Sequence, residues 1–417
     1  MKPSFQENLS FQTRQSLLIQ VKQAKALTVI NFKSFPQRFI ASVVSILSIA
    51  CVAAVILSVL AMTEGMMKTL QRTGLDNTVL VTRAGAISEL QSVMFPIEVN
   101  ILANNQKILK NNQGIAQVSA EMFVNAKVSY TSVQASSEQE STSLALRGIS
   151  DATQNFRPNF RLVSGKMFST GVRQLIIGQA IARKIPELTV GKVITLGGAA
   201  WEISGIFADG NSVFESELWA DIIILQSDYR RGNTIQSIRL ALNNINDFPA
   251  LEKEWQDDPR LNIRVQTEKQ FFADQARSLT RLIRWLGFPI ALVMALGAMV
   301  AALNTMYAAI ASRSKEIATH KAIGFSPFSI SVSILCEALL IAFFGGLLGI
   351  LPLYLVFDGW TAATQNASNL SQMMFNFDIT VLLIIKTMSL ALFIGLLGGL
   401  LPAIKAMRLP VTEALRD

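Results

Sequence analysis

Four runs of this chain are longer and more apolar than the interior of a soluble domain requires. Phe39–Met62 and Leu286–Ser312 contain no charged residue, Ile330–Phe357 contains only Glu337, and Ile379–Ile404 contains only Lys386. A helix needs roughly 20 apolar residues to cross a hydrocarbon core. In lipid no water can satisfy the backbone N–H and C=O groups, so such a run must close its hydrogen bonds within a helix. With 51% hydrophobic and 16% charged residues, the composition excludes an ordinary soluble enzyme of this length. The first run begins near residue 39 and outlasts the roughly 7–15 residues of a signal-peptide core, so it is expected to remain as an anchor.

Charge placement orients the spans. Residues 63–280 hold 22 Lys+Arg and 22 Asp+Glu, so the whole formal charge of +8 comes from the remainder. The excess cations sit in the N-terminal arm (Lys22, Lys25, Lys33, Arg38), after the second span (Arg313, Lys315, Lys321) and in the tail (Lys405, Arg408, Arg416). Segment 358–378 has Asp358 and Asp378 and no cation. Lys and Arg are retained on the cytoplasmic side of a membrane. The expected order is a cytoplasmic arm with an interfacial elbow helix near Pro36 (1–38), a first span (39–62), an external region with stalk helices (63–285) and a second span (286–312). A cytoplasmic loop (313–329), a third span (330–357), a short external loop (358–378), a fourth span (379–404) and a cytoplasmic tail (405–417) complete it. The basic balance thus reports topology and membrane lipid, and requires no nucleic acid.

Alternating apolar and polar residues predict strands at Asn77–Gly85, Ser141–Ser150, Lys192–Phe207 and Ile235–Leu242, with Gly197-Gly198 supplying a tight hairpin turn. Helices are expected at Ile97–Leu109 and Phe248–Trp255. Thr63–Gly74 and Glu268–Gly287 read as outward continuations of the first two spans, a stiff stalk. The fold class is therefore a membrane protein of four transmembrane α-helices with a large α+β domain inserted between the first and second. Inside the spans, small residues recur four apart: Gly345 with Gly349, Gly395 with Gly399, Gly297 with Ala301, and Ala50 with Ala54. In lipid such spacing brings helices close together, and it predicts a packed bundle, with a dimer as one form it can take.

Much chemistry is absent. Residues 63–280 have no His and no Cys, which removes Ser-His and Cys-His nucleophilic sites and His- or Cys-based zinc sites from the inserted region. No G-x-x-x-x-G-K-S/T occurs, so the chain has no P-loop. No catalytic, cofactor or metal residue is expected in it. Glu337 is shorter than a lysine that could snorkel out of its span, and it is expected to pair with a basic group of the 313–329 loop or to bond across helices.

That loop carries a dense polar knot, "RSKEIATHKAIGF" (Arg313–Phe325). Together with the following span it resembles the region after the second span in FtsX-like ABC permeases of the MacB type. The matching residues are Arg313, Glu316-Ile317, Lys321-Ala322, Gly324, Glu337, Gly345-Gly346 and Gly349. The tail "LPAIKAMRLPVTEALR" resembles the family's ending through Pro402, Ala406, Pro410, Glu413-Ala414-Leu415 and Arg416. Lys321 stands where the family more often has Arg, and no ATPase domain is fused. The resemblance implies a stand-alone, non-catalytic permease of the bacterial inner membrane with a periplasmic domain. It also implies a second permease copy and a separate cytoplasmic ABC ATPase that uses ATP and Mg. In such an assembly Arg313, Lys315, Glu316, Ile317, His320, Lys321, Gly324, Glu413 and Arg416 would serve ATPase coupling.

Three functions stay open at this point: an exporter working with a periplasmic adaptor and outer-membrane channel, a Lol-type lipoprotein-releasing permease, and an FtsX-like activator of a periplasmic hydrolase. In the inserted region, "SVFESELWADI" places Phe214 and Trp219 around Glu215 and Glu217. Aromatic anchors of this kind can face a partner or substrate; packing at a strand edge is the alternative, since most aromatic residues are core.

Overall fold

The computed structural model describes residues 19–30, 39–131, 139–365 and 372–411. In chain order the elements begin with α1 (residues 19–30), α2 (Phe39–Thr73), β1 (Thr78–Arg83), α3 (Pro96–Ala103), β2 (Val118–Thr131) and β3 (Gln139–Ile149). Next come β4 (Phe160–Gly165), β5 (Gln174–Gly178), α4 (Gln179–Lys184), β6 (Val193–Leu196), β7 (Ala199–Asp209), β8 (Glu217–Asp221), α5 (Ile222–Asp228), β9 (Ser237–Ala241) and α6 (Phe248–Gln256). The order closes with β10 (Ile263–Thr267), α7 (Glu268–Ser312), α8 (Ser314–Ala322), α9 (Pro327–Phe357), β11 (Thr361–Gln365), β12 (Gln372–Asn376) and α10 (Val381–Arg408). Residues around Pro36, where an elbow was expected, lie outside the described residues.

The chain divides into a helical unit, made of the described parts of 1–62, 282–358 and 378–417, and a sheet unit, made of those of 63–281 and 359–377. Among the described residues α2, α7, α9 and α10 are long and apolar enough to cross a membrane. α2 and α7, of 35 and 45 residues, each belong to both units, which is what the stalk-like sequence at 63–74 and 268–287 requires.

In the helical unit α9 is the central packing element. A side chain at Gly345 would strike the Ile46 carbonyl at 2.9 Å, and one at Gly349 would strike Ala53 at 3.0 Å and the Ala50 carbonyl still closer, so these glycines let α2 lie against α9. Gly395 and Gly399 of α10 rest on Ala342 and Ala338 of α9 in the same way. Ser45 of α2 donates to Thr305 of α7 at 2.8 Å. Two of the four small-residue pairs, with Ala50 of a third, are thus used within one chain, through close van der Waals contact between helices. Gly297 is open: a β-carbon added there would meet nothing within 4 Å.

The sheet unit holds a ten-stranded sheet in the order β10-β1-β9-β2-β3-β8-β5-β7-β4, with β6 pairing β2 and β7. Gly197 and Gly198 take φ of 56° and 85° and turn β6 into β7, a conformation that glycine adopts without strain. One face is aliphatic, with Met122, Leu146, Leu218, Ile238 and Leu240 all buried. Segment 359–377, expected as a plain loop, is instead a β11–β12 hairpin whose Met373, Met374 and Phe375 are buried in the sheet unit. The backbone of Met374 exchanges hydrogen bonds with the Ser216 hydroxyl. Its alternation is only five residues long on each side, too short to stand out between two spans.

Candidate functional site

The polar knot folds as a short helix with both ends fixed. Gly324, at φ 100°, ends α8: the amide of Phe325 donates to the His320 carbonyl and that of Gly324 to the Lys321 carbonyl. This left-handed C-terminal turn is one glycine accommodates. Ser326 then caps α9 by accepting from the Ser329 amide, ahead of Pro327. Ile317 points into the helical core, 6% exposed, while Lys315 is exposed.

Arg313 is 8% exposed and binds Glu316 (3.0 Å) and Glu337 of α9 (3.2 Å). Glu337 therefore pairs with a loop cation. His320 Nε2 lies 3.8 Å from Glu316, and its ring meets Phe325 edge-on. Lys321 donates to the carbonyls of Met407 (3.0 Å) and Leu409 (2.7 Å), the exposed C-terminal end of α10, where a cation is favoured by the helix dipole. Burial lowers the Lys321 pKa. Gln23 of α1 accepts from the Ser326 amide and donates to the Gly324 carbonyl, an arrangement no sequence signal marked. Arg313, Glu316, His320, Lys321 and Glu337 are thus gathered at one end of the helical unit; Glu413 and Arg416 lie outside the described residues.

The contact reading of "SVFESELWADI" is corrected. Phe214, Glu215, Glu217 and Trp219 are 0–5% exposed, so none is a surface anchor. Trp219 stacks on Phe207 with 4.2 Å between ring centroids. Glu215 accepts from the amides of Asp209 and Asn211, holding the turn in which Asn211 has a positive φ. Glu217 grips Arg147 through both oxygens at 2.7 Å and accepts from the Trp219 indole. The segment runs through a short turn into β8 of the sheet, and Phe214 and Trp219 pack with Leu70, Phe207 and Phe272 on the sheet's second side, which is covered as well.

Glu217 belongs to a larger buried network. Arg147, Arg157 and Arg239 meet Glu89, Glu121, Glu217 and Glu268, all at most 5% exposed. Strand register aligns it: Ser119 is opposite Arg239, Phe123 opposite Arg147, and Arg147 beside Trp219. The ring of Phe214 lies 3.8 Å from the Arg157 guanidinium. Burial works against the charged form of Glu89 and Glu121, but the adjacent arginines outweigh it and lower both pKa values. Arg157 is different: burial outweighs its carboxylates and lowers its pKa. Asp209, at the margin, is pushed up to about 6, first by burial and further by Glu215 and Glu268. In sequence the network was visible only as arginines within apolar alternation, "LALRGI" and "SIRLAL", which also suits a strand with one solvated face.

Comparison with known proteins fits this architecture. The profile of the MacB-like periplasmic core domain matches residues 42–258, and that of the FtsX-like permease C-terminal region matches 289–411. The uncharacterized ABC transporter permease YknZ of Bacillus subtilis is 24% identical, over 76% of this chain and 80% of that protein. The macrolide export ATP-binding/permease protein MacB of Bdellovibrio bacteriovorus is 22% identical over 93% of this chain, which spans 61% of that relative's length. Solved structures similar to parts of the chain include the extracellular domain of YknZ (16% identity, 46% of this chain and 100% of that one, TM-score 0.35). Another is the periplasmic region of MacB from Actinobacillus actinomycetemcomitans (12% identity, 49% and 94%, TM-score 0.37). With four apolar helices and a MacB-like β-rich domain between the first two, the chain belongs to the MacB-type, FtsX-like family of ABC transporter permeases.

Proposed function

We propose that the chain is the permease subunit of a MacB-type ABC transporter, moving or expelling a substrate outside the bacterial inner membrane. A separate cytoplasmic ATPase, using ATP and Mg, docks on α8, and its closure is carried along α2 and α7 to the periplasmic sheet unit. In this reading both termini and the 313–325 loop are cytoplasmic, in line with the distribution of Lys and Arg. Two copies assemble with two ATPase chains, and an adaptor and outer-membrane channel complete an export route. The family is one of permease subunits, generally without catalysis of their own.

The observation that carries this reading is the fixing of α8 to two spans at once, through Arg313 to Glu337 in α9 and through Lys321 to the end of α10. A helix so held passes a push to the bundle instead of absorbing it, while Lys315 and Thr319 stay exposed for a docking partner. The test is Glu316→Lys together with Lys315→Glu in the assembled complex. Transport and ATPase stimulation are expected to fall while membrane insertion is kept. Undiminished transport in both variants removes the loop from the mechanism.

A further inference from the structure

The outer ends of α2 and α7 meet at one point in the sheet unit. The end of α2 passes so close to the start of α7 that a side chain at Gly74 would lie 2.5 Å from the Lys269 Cα and 2.8 Å from its nitrogen. Directly there, Glu268, the first residue of α7, accepts from the Leu75 amide at 3.3 Å. The same carboxylate reaches the other way, to Arg239 of β9 at 2.9 Å and to Arg157 at 3.5 Å. It is 0% exposed. Thr267 caps α7 by accepting from the Gln270 amide, and an acidic group in a helix's first turn is favoured by the dipole.

We propose that Glu268 is the positioning residue of the joint that ties both long helices to the β-sheet, so that their displacement moves the strands. The proposal rests on the permease reading above. A single carboxylate, held by the α2 terminus on one side and by strand arginines on the other, makes the three elements move together. The exposed Lys269–Asp76 pair beside it is solvated and contributes little. The network sets four carboxylates against three guanidiniums, one acid in excess. Neutralising Glu268 therefore leaves three against three: Arg239 keeps Glu89 and Glu121, while Arg157 keeps only Glu121 at 3.8 Å. Removing Arg239 would leave four acids facing two cations.

The test uses the full chain in lipid nanodiscs, with Cys51 and Cys336 replaced by Ser, and spin labels at Gln71 with Gln270, and at Asn112 with Gln270. These positions are exposed. Wild type is expected to give narrow distance distributions. Glu268→Gln is expected to widen both at least about twofold, as a local opening does, with a cooperative melt retained. Asp274→Asn, on the same helix but with a side chain 41% exposed, is expected to leave them unchanged. Gly74→Ala forces the helix ends apart without altering any charge and is expected to widen the first pair. With the partner ATPase bound, Glu268→Gln is expected to keep hydrolysis and lose the ATP-driven shift of the Asn112–Gln270 distance. Narrow distributions in both Glu268→Gln and Gly74→Ala would overturn the joint, as would an ATP-driven shift of wild-type size in Glu268→Gln. If wild type showed no ATP-driven shift at all, the permease reading would fail, while the resting widths would still decide the joint.

Discussion

The guanidinium of Arg313 lies 3.2 Å from a carboxylate oxygen of Glu337, joining the residue between α7 and α8 to the interior of α9. Both side chains are at most 9% exposed. Losing one partner of a buried pair costs about 3–5 kcal/mol because the other charge is left desolvated, whereas replacing both by apolar residues of similar volume is often neutral. Arg313→Met is therefore expected to lower the melting temperature in detergent sharply. Arg313→Met with Glu337→Met should recover most of that loss, yet leave ATPase stimulation impaired because α8 is no longer aligned. Equal stability of the single and double variants would show that the pair is not coupled.

Close helix approach gives a second expectation. Gly349→Val places carbon atoms into the Ala50 carbonyl and Ala53, and overpacking of this kind costs roughly 1–3 kcal/mol. Gly297→Val, at an open position, should be tolerated. Thermal unfolding of the two variants side by side checks the difference.

The four spans, the α2 and α7 extensions, the Gly197-Gly198 turn and the need of Glu337 for a partner were legible because each rests on a local pattern or a strong physical demand. A charge in a span needs an opposite charge or a bond across helices, which pointed to the cations of the loop without distinguishing Arg313 from Lys315 and Lys321. The buried network was not legible. Arg147 and Arg239 occupy alternate positions of strands, and alternation does not say whether the second face meets water or a helix. "SVFESELWADI" left contact and strand packing both open for the same reason, since its carboxylates look solvated until Arg147 and the turn amides are placed beside them. Glycine spacing marked helix contact but not which helices touch, which depends on the bundle's connectivity.

Asp209 gives the sheet unit a pH dependence opposite to that of Glu89 and Glu121. Its pKa rises to about 6 in the folded chain, so folding retains a proton that the unfolded chain releases near pH 4. The stability it contributes is complete below that value and is lost as pH rises through about 6. Asp209→Asn, which mimics the protonated form, should therefore stabilise the protein by about 3 kcal/mol at pH 8 and hardly at all near pH 4. Glu89 and Glu121, lowered by their arginines, act the other way and lose their contribution as pH falls below the ordinary carboxylate range. Melting curves of wild type and Asp209→Asn from pH 4 to 8 check this; a gain that does not change with pH would contradict it.

Lys321 closes the end of α10 by donating to the Met407 and Leu409 carbonyls. Lys321→Met should fray that last turn, a loss of about 0.3–1 kcal/mol typical of a cation at a helix C-terminus. Lys321→Arg should preserve it. Amide hydrogen exchange over residues 403–409 is expected to accelerate in the first variant alone.

The most direct measurement is a photo-cross-link from α8 in living cells. A benzoylphenylalanine residue at the exposed Lys315 position should capture an ATP-binding subunit, identified by mass spectrometry, and Glu316→Lys should weaken that capture. The same probe at Asn112 in the sheet unit should capture none. An ATPase captured from Asn112 and not from Lys315 would contradict both the orientation of the chain and the role of its loop.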